Sequence, residues 1–305
     1  MPKFAISRLL QAIPVLWAVA TLTFFMVRLA PGDPFSDERQ IPEEIQASLN
    51  ARYGFDAPLR TQYFRYMAQL LKGDLGPSYK HPGRSVNEII ASAFPVSLEL
   101  GLYGLIVALC VGIPAGVIAA VRCNSVFDYV PMTLAMTGIC LPSFVLGPLL
   151  ALVFGLHLGW FNPMGWSNPG DRVLPALTLG LFYAAYIARL TRAGMLDVLS
   201  QDFIRTARAK GLSEKTIIFK HALRNSMIPV ITIFASILPI LIGGSLVIEV
   251  IFDLPGMGEY MFKGLLKRDY NIIMATMTLS GVMTLMGILL SDIAYAIVDP
   301  RIKYS

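Results

Sequence analysis

Charged side chains are scarce in this chain of 305 residues, of which only 15% are Asp, Glu, Lys or Arg. Ordinary soluble domains carry about 25%, and hydrophobic residues here reach 55%. The deficit extends along the whole chain, which excludes a soluble domain with one apolar tail and predicts a single membrane domain over residues 1–305. The net charge of +5 lies on basic residues between apolar runs, so we expect it to set membrane topology, and we expect no nucleic acid partner.

Motifs for catalysis and metal binding are also missing. The chain has no Gly-x-x-x-x-Gly-Lys-Ser/Thr phosphate loop and no His-Glu-x-x-His pair, so it is not its own ATPase by that route. An odd number of cysteines without metal-binding spacing argues against a disulfide framework; they are Cys110, Cys123 and Cys140. We expect no shared metal site from the three histidines, because all fall in or near predicted loops: His81, His157 and His221.

Long uncharged apolar runs take the place of these motifs. A helix needs about 20 apolar residues to cross the hydrocarbon core. Six runs reach or approach that length: Leu9–Val27, Leu100–Val121, Tyr129–Leu156, Val173–Ala188, Ser226–Ile248 and Tyr270–Ser291. The first is longer than the apolar core of a secretory signal, so we expect it to be retained. The third contains Pro131, Pro142 and Pro148, which membrane helices tolerate when neighbours satisfy the freed backbone. The sequence therefore predicts an all-α integral membrane protein with six transmembrane helices.

Loop charges predict the orientation of these helices. The loop 189–225 has eight Lys or Arg and three acids, and by the positive-inside rule it is cytoplasmic. Six spans then place the N- and C-termini on the same side, and the long segment 28–94 on the outside.

The external segment 28–94 is predicted to fold as a small cap. Pro42 is placed to begin one short helix and Pro58 another, before glycines at 73 and 76 break the pattern. This cap either contacts a delivered ligand or partner, or simply covers the helix ends, and the sequence does not separate these possibilities.

The loop 189–225 has the pattern of two short amphipathic helices. Ser200 is placed to cap the first, over Gln201–Lys210, and Gly211 suits the left-handed turn after it. Phe203 and Ala207 are four residues apart, which suggests one packed face. Ser213 is placed to cap the second helix, which we expect to run to about Arg224. The alternative is a basic loop lying on anionic lipid headgroups.

Within this loop the sequence resembles the signature of ABC-importer permeases. The matching residues are Arg205-Thr206-Ala207-Arg208-Ala209-Lys210-Gly211-Leu212 and, with nine residues between the glycine and the histidine, His221-Ala222-Leu223-Arg224-Asn225. Arg205 and Thr206 replace the Glu and first Ala of the general motif, and His221-x-Leu223-Arg224 replaces Ile-x-Leu-Pro. These departures are typical of the dipeptide and oligopeptide branch, and the chain looks most like the first, B-type, of its two permease subunits.

Further stretches extend the resemblance over nearly the whole chain. They are Leu29-Ala30-Pro31-Gly32-Asp33-Pro34, Gly73-Asp74-Leu75-Gly76-Pro77-Ser78, Ile251-Phe252-Asp253-Leu254-Pro255-Gly256-Met257-Gly258, Arg268-Asp269-Tyr270 and Val298-Asp299-Pro300-Arg301.

The resemblance implies a type I ABC-importer permease fold in a bacterial inner membrane, and a division of labour between subunits. Implied partners are a second permease subunit, two ATPase subunits that hold ATP and Mg, an external peptide-binding protein and membrane lipid. This chain would bind no cofactor and would move peptides by alternating access. The residues implied to contact the ATPase are Arg205, Thr206, Ala207, Ala209, Lys210, Gly211 and His221; the resemblance assigns no substrate-binding residues.

Two other function classes remain open from the residues alone. An ion-coupled secondary transporter or channel needs a charged group in the membrane, and Asp292 is the best candidate. An intramembrane protease needs a serine beside a base, yet Ser245 and His221 are predicted at opposite ends of one span. Pro142, Pro229, Pro239 and the pair Gly243-Gly244 are candidate bending points, although local packing is the commoner reason for such residues.

Overall fold

A computed structural model describes residues 2–30, 53–81, 83–231, 237–238, 241 and 245–298. Within these residues the fold is helical, apart from loops and an isolated antiparallel bridge between Pro77 and Ser85. In chain order the helices are α1 (Pro2–Leu29), α2 (Leu59–Leu71), α3 (Val86–Val121), α4 (Val126–Cys140), α5 (Ser143–Leu150, continued by a π-helical stretch Ala151–His157), α6 (Val173–Leu199), α7 (Asp202–Ala209), α8 (Glu214–Thr216, continued through π-helical Ile217–Ala222 to Leu223–Ser226), α9 (Leu246–Ile251), α10 (Met257–Lys267) and α11 (Tyr270–Val298).

Among the described residues, four helices are long and apolar enough to cross a membrane, namely α1, α3, α6 and α11. They confirm the first, second, fourth and sixth predicted runs, with different ends. The fourth run was predicted to stop at Ala188, but α6 continues to Leu199, because a basic residue ends an apolar run without ending a helix. α3 begins before its apolar run, where the Ser85 hydroxyl accepts a hydrogen bond from the Glu88 amide.

The third predicted run is not one continuous helix. α4 and α5 form a pair bent by 111°. Pro142 has no amide hydrogen to donate, and the preceding Leu141 is extended, with ψ of 115°. Counting this pair as one span gives up to five candidate spans among the described residues. Much of the fifth predicted run, including Gly243-Gly244, lies outside them, so its prediction is not tested.

The packing of α3 against α6 forms the centre of the bundle. Every fourth residue of α3 from position 104 to position 120 is small, and this row includes Gly104, Gly112 and Gly116. A Cβ added to Gly112 would lie 2.7 Å from the backbone oxygen of Ala184 on α6. Lipid supplies no hydrophobic drive between helices, so close backbone approach at small residues is what holds such a pair together.

The two ends of α3 define the two ends of the molecule, which we call the cap end and the loop end. At the cap end, α2 begins after Pro58 as predicted, while the predicted helix at Pro42 lies outside the described residues. The buried Asp269 carboxylate accepts hydrogen bonds from the Ser78 hydroxyl and from the amides of Tyr79 and Lys80. The loop 189–225 packs at the opposite end, beside Val117.

Candidate functional site: the loop 189–225

The first helix of the loop, α7, begins one residue later than predicted. Gln201 is its N-cap residue, with an extended ψ of 152°. Ser200 instead ends α6 in a helical conformation, and its hydroxyl donates to the Asp197 carbonyl at 2.8 Å. The prediction of Ser200 as an N-cap was therefore wrong, because the serine satisfies the preceding turn and not the following one.

Gly211 terminates α7 in the left-handed conformation that the sequence predicted, with φ of +77°. Its amide donates to the Arg208 carbonyl at 2.9 Å, and the Leu212 amide donates to the Ala207 carbonyl at 3.3 Å. This pair of bonds is a Schellman motif. Among the described residues, no atom lies within 4 Å of a Cβ added to Gly211. Glycine is therefore favoured here by the positive φ angle and not by a close contact inside this chain.

The second helix, α8, is capped by Ser213 as predicted. The Ser213 hydroxyl accepts a hydrogen bond from the Thr216 amide, and Glu214 in the first turn forms an ion pair with Arg208 of α7 at 2.9 Å. The helix runs beyond the predicted end near Arg224 to Ser226. α7 and α8 therefore form one compact unit, which we call the knob (residues 201–226).

The inner face of the knob is apolar and fixed to the bundle. Ile204, Ala207, Ile217 and Ala222 are buried in one cluster with residues of α3 and α6: Val117, Ala120, Met195 and Val198. Ala207 is 7% exposed, so it lies on this inner face. Phe203, which the spacing paired with Ala207, is 39% exposed instead, and that prediction was wrong because Ile204 occupies the buried position.

The outer face of the knob carries most of the predicted site. Arg205, Thr206, Ala209, Lys210 and Gly211 are all exposed, whereas His221 is partly buried. Sequence reasoning missed three large apolar side chains on this surface: Phe203, Leu212 and Phe219, the last 63% exposed. For Leu212 and Phe219 the signal was a large apolar residue in a basic segment at a position that no helical period required, whereas for Phe203 the spacing pointed inward. Exposed aromatic and aliphatic groups rimmed by charge are typical of protein docking surfaces.

A buried ion pair fastens the base of the loop to α4. The Arg192 guanidinium donates to both Asp128 carboxylate oxygens, at 2.6 and 2.7 Å. The Asn124 amide donates to the same carboxylate at 2.9 Å, and the Asp128 side chain is only 2% exposed. The turn between α3 and α4 is therefore held against α6 next to the knob.

Asp292, which suggested an ion-coupled transporter, has a charged partner, and the two residues that suggested a protease, Ser245 and His221, lie far apart. Asp292 forms an ion pair with Arg8 of α1 at 3.0 Å. Ser245 precedes α9, which packs near Leu100, whereas His221 adjoins the cluster around Val117. Seventeen residues of α3 separate these levels by roughly 25 Å. Among the described residues, no group of three His, Cys, Asp or Glu side chains is arranged to hold a metal ion.

Two family models match the chain. Residues 112–304 match "Binding-protein-dependent transport system inner membrane component", and residues 1–101 match its N-terminal companion, "Binding-prot-dependent transport system membrane comp, N-term".

Relatives match over the full length. The chain is 47% identical over 306 residues to "Oligopeptide transport system permease protein OppB" of Haemophilus influenzae, with 100% of both chains covered. It is 43% identical over 303 residues to "Dipeptide transport system permease protein DppB" of Bacillus subtilis, covering 99% of this chain and 98% of the relative.

Solved structures of lower identity share the fold. An inward-facing MetNI methionine ABC transporter chain matches with a TM-score of 0.57 and 16% identity, covering 70% of this chain and 97% of that chain. A chain of an amino acid ABC transporter crystallised with histidines matches with a TM-score of 0.53 and 14% identity, covering 68% of this chain and 92% of that chain.

Proposed function

The chain belongs to the family of binding-protein-dependent transport system inner membrane components, and from that premise we propose that it moves oligopeptides or dipeptides across the membrane as a permease subunit of an ATP-driven importer. Support comes from full-length similarity to relatives named as oligopeptide and dipeptide permeases. A permease subunit is not itself catalytic, and the missing phosphate loop agrees with ATP hydrolysis on separate subunits.

The knob is the single observation that supports the coupling mechanism best. Its inner face is packed against α3 and α6, and its outer face presents charge and apolar groups together. We infer that Arg205, Thr206, Ala209, Lys210 and Gly211 contact the ATPase, with His221 at the edge. Ala207 lies on the inner face of the knob instead, where its packing holds α7 against the bundle. A push on the outer face is then transmitted to the bundle through packed side chains.

The remaining partners follow from the family and from charge. The loop end is the cytoplasmic end in this proposal, because the loop is rich in Lys and Arg, and both termini share that side. A second permease subunit completes the pathway, two ATPase subunits hold ATP and Mg, and a peptide-binding protein delivers cargo at the cap end. Membrane lipid surrounds the bundle in a bacterial inner membrane.

Reconstitution of the complete complex tests this proposal against the ion-coupled alternative. We expect peptide uptake with ATP and none with an ion gradient alone, since the ion pair between Asp292 and Arg8 gives that embedded acid a structural partner. Uptake driven by the gradient without ATP would refute the proposal.

Gly211 tests the coupling role of the knob itself. A β-branched residue is strained in a left-handed conformation. Gly211→Val should therefore abolish the stimulation of ATP hydrolysis by peptide. Gly159 is a matched control, because it also has positive φ, +62°, with no described atom within 4 Å of an added Cβ. If Gly159→Val impairs ATP hydrolysis as much as Gly211→Val does, backbone strain and not the knob explains the loss.

A further inference from the structure

A polar cavity of about 180 Å³ lies at the cap end, away from the knob. The end of α1, residues 53–54, helix α2, the segment 74–79 and the start of α11 line it. Its lining contains two arginines and three side-chain amides, in contrast to the apolar grooves elsewhere in the bundle: Arg28, Arg65, Gln62, Gln69 and Asn271.

Arg28 is a cation held among aromatic rings. Its guanidinium carbon lies 4.5 Å from the ring centroid of Phe55, 5.4 Å from that of Tyr270 and 5.7 Å from that of Phe24. Among the residues that the structure describes, its Nε is buried without a hydrogen-bond partner. Removing a charge from water is costly unless an opposite charge or hydrogen bonds compensate. The ring faces and a hydrogen bond between the Arg28 and Tyr79 side chains compensate only in part, so this site is suited to an anion.

Gly54 leaves space for the second cation of the cavity, the Arg65 guanidinium. Gly54 has φ of +72°, and a Cβ placed there would overlap the Arg65 guanidinium. Asp74 contributes one negative charge to the lining. The charged lining groups, Arg28 and Arg65 against Asp74, therefore sum to +1, which suits a monoanion such as a carboxylate better than a phosphate dianion.

A hydrogen-bond acceptor accompanies the cations. The Gln62 side-chain amide is fixed because its Nε2 donates to the Phe55 carbonyl at 3.0 Å and the Ala57 carbonyl at 2.7 Å. Its Oε1 is also buried without a partner among the described residues. A donor at Arg28 and an acceptor at Gln62 complement the terminal carboxylate and last N–H of a peptide.

We propose that this cavity binds the C-terminal carboxylate of a peptide on the external face of the permease, through Arg28 and Arg65. The proposal rests on the proposed function, which makes a peptide the cargo, and it assigns a substrate-contacting site to this chain.

Direct binding to the permease–ATPase complex, purified without the binding protein, tests the site. Trialanine and trialanine amide are the probes, and titration calorimetry measures both dissociation constants. Charge-assisted hydrogen bonds should make the acid bind about 10- to 100-fold more tightly. Arg28→Gln and Arg65→Gln should abolish that difference in affinity. Arg60 lies on α2 with Arg65 but outside the cavity lining, so Arg60→Gln should keep the difference.

Gln69→Glu keeps the proposal testable if Arg28→Gln fails to fold. It places a carboxylate in the cavity wall, so it should abolish the preference for the acid, and the melting temperature of the complex shows whether this variant is folded. Equal binding of the two peptides, no binding of either, or an unchanged preference in Gln69→Glu would overturn the proposal. Displacement of trialanine by inorganic phosphate at matched concentration would show a general anion site and also overturn it. ATP-driven peptide uptake by the reconstituted complex is measured separately. Its absence would refute the proposed function but would not decide whether this cavity binds a carboxylate.

Discussion

Replacing Gly116 by alanine tests the close packing of α3 against α6. A Cβ at this position would lie 2.6 Å from the Thr191 Cβ and would also overlap the Ala188 carbonyl oxygen. Ordinary contacts of this kind are about 3.5–4.0 Å, so the overlap is about 1 Å. Because one of the obstructing atoms belongs to the backbone, no side-chain rotation relieves the clash. The two helices must separate instead.

Gly138 on α4 offers a matched control for this change. The nearest atoms to a Cβ added there are the Leu181 carbonyl oxygen at 3.7 Å and the Ala185 Cβ at 3.9 Å, which are ordinary contacts. Glycine to alanine in a helix gains about 0.5–1 kcal/mol from backbone entropy at either position. Overpacking costs about 1–3 kcal/mol and applies only to Gly116→Ala. The two variants should therefore differ in stability by about 1–3 kcal/mol.

Thermal unfolding of the purified complex measures this difference. At about 2 °C for each kcal/mol in a chain of this size, Gly116→Ala should melt about 2–6 °C below Gly138→Ala. Peptide uptake should fall in parallel, because the knob acts on the bundle through these two helices. Equal melting temperatures for the two variants would show that α3 and α6 do not pack as closely as the structure places them.

Two further predictions concern a buried ion pair and a buried hydroxyl. Arg192→Met removes the charge partner of Asp128, whose carboxylate then keeps the hydrogen bond from the Asn124 amide. Because Arg192 is itself 28% exposed, the change should cost about 1–3 kcal/mol. Adding Asp128→Asn should restore part of the loss in melting temperature, and no recovery in the double variant would contradict the pairing. Burial raises the pKa of Tyr79 to about 12 from an ordinary 10.0, so between these pH values the folded state keeps a proton that the unfolded state releases. This contribution to stability should fall by roughly 2–3 kcal/mol as pH rises through that window. Tyr79→Phe should remove this contribution, so the melting temperature of the variant should fall less steeply over the same pH range.

Local chemistry could be predicted well wherever a residue acts on its own backbone. The left-handed turn at Gly211 and the cap at Ser213 follow from the preferences of those residues, and both are confirmed. The cap at Ser200 was wrong, because a serine between two helices can serve either one and sequence does not rank the two. The bend after Leu141 was present in the sequence as Pro142, but its size of 111° depends on what packs around it.

The faces of the helices could not be predicted, since apolar residues cover most sides of every span. In a soluble helix the apolar stripe marks the core, but a lipid-facing residue is as apolar as a buried one. Phe203 illustrates the same limit in the knob, where the spacing pointed inward and the structure places the ring outward. Its exposure, with that of Phe219, is what extends the proposed docking surface beyond the motif residues.

The sequence alone determined that this protein is helical and membrane-embedded, where most of its spans lie, and the turns that form the knob. Hydrophobic run length and residue-specific backbone preference are local properties, so no partner is needed to read them. Only the tertiary structure decided which distant groups meet: Arg192 with Asp128 across 64 positions, Ser78 with Asp269 across 191, and Arg28 with the walls of its cavity. In a medium where apolar contacts hardly discriminate between faces, such polar pairs and close glycine contacts fix the arrangement, and both depend on geometry that no single segment contains.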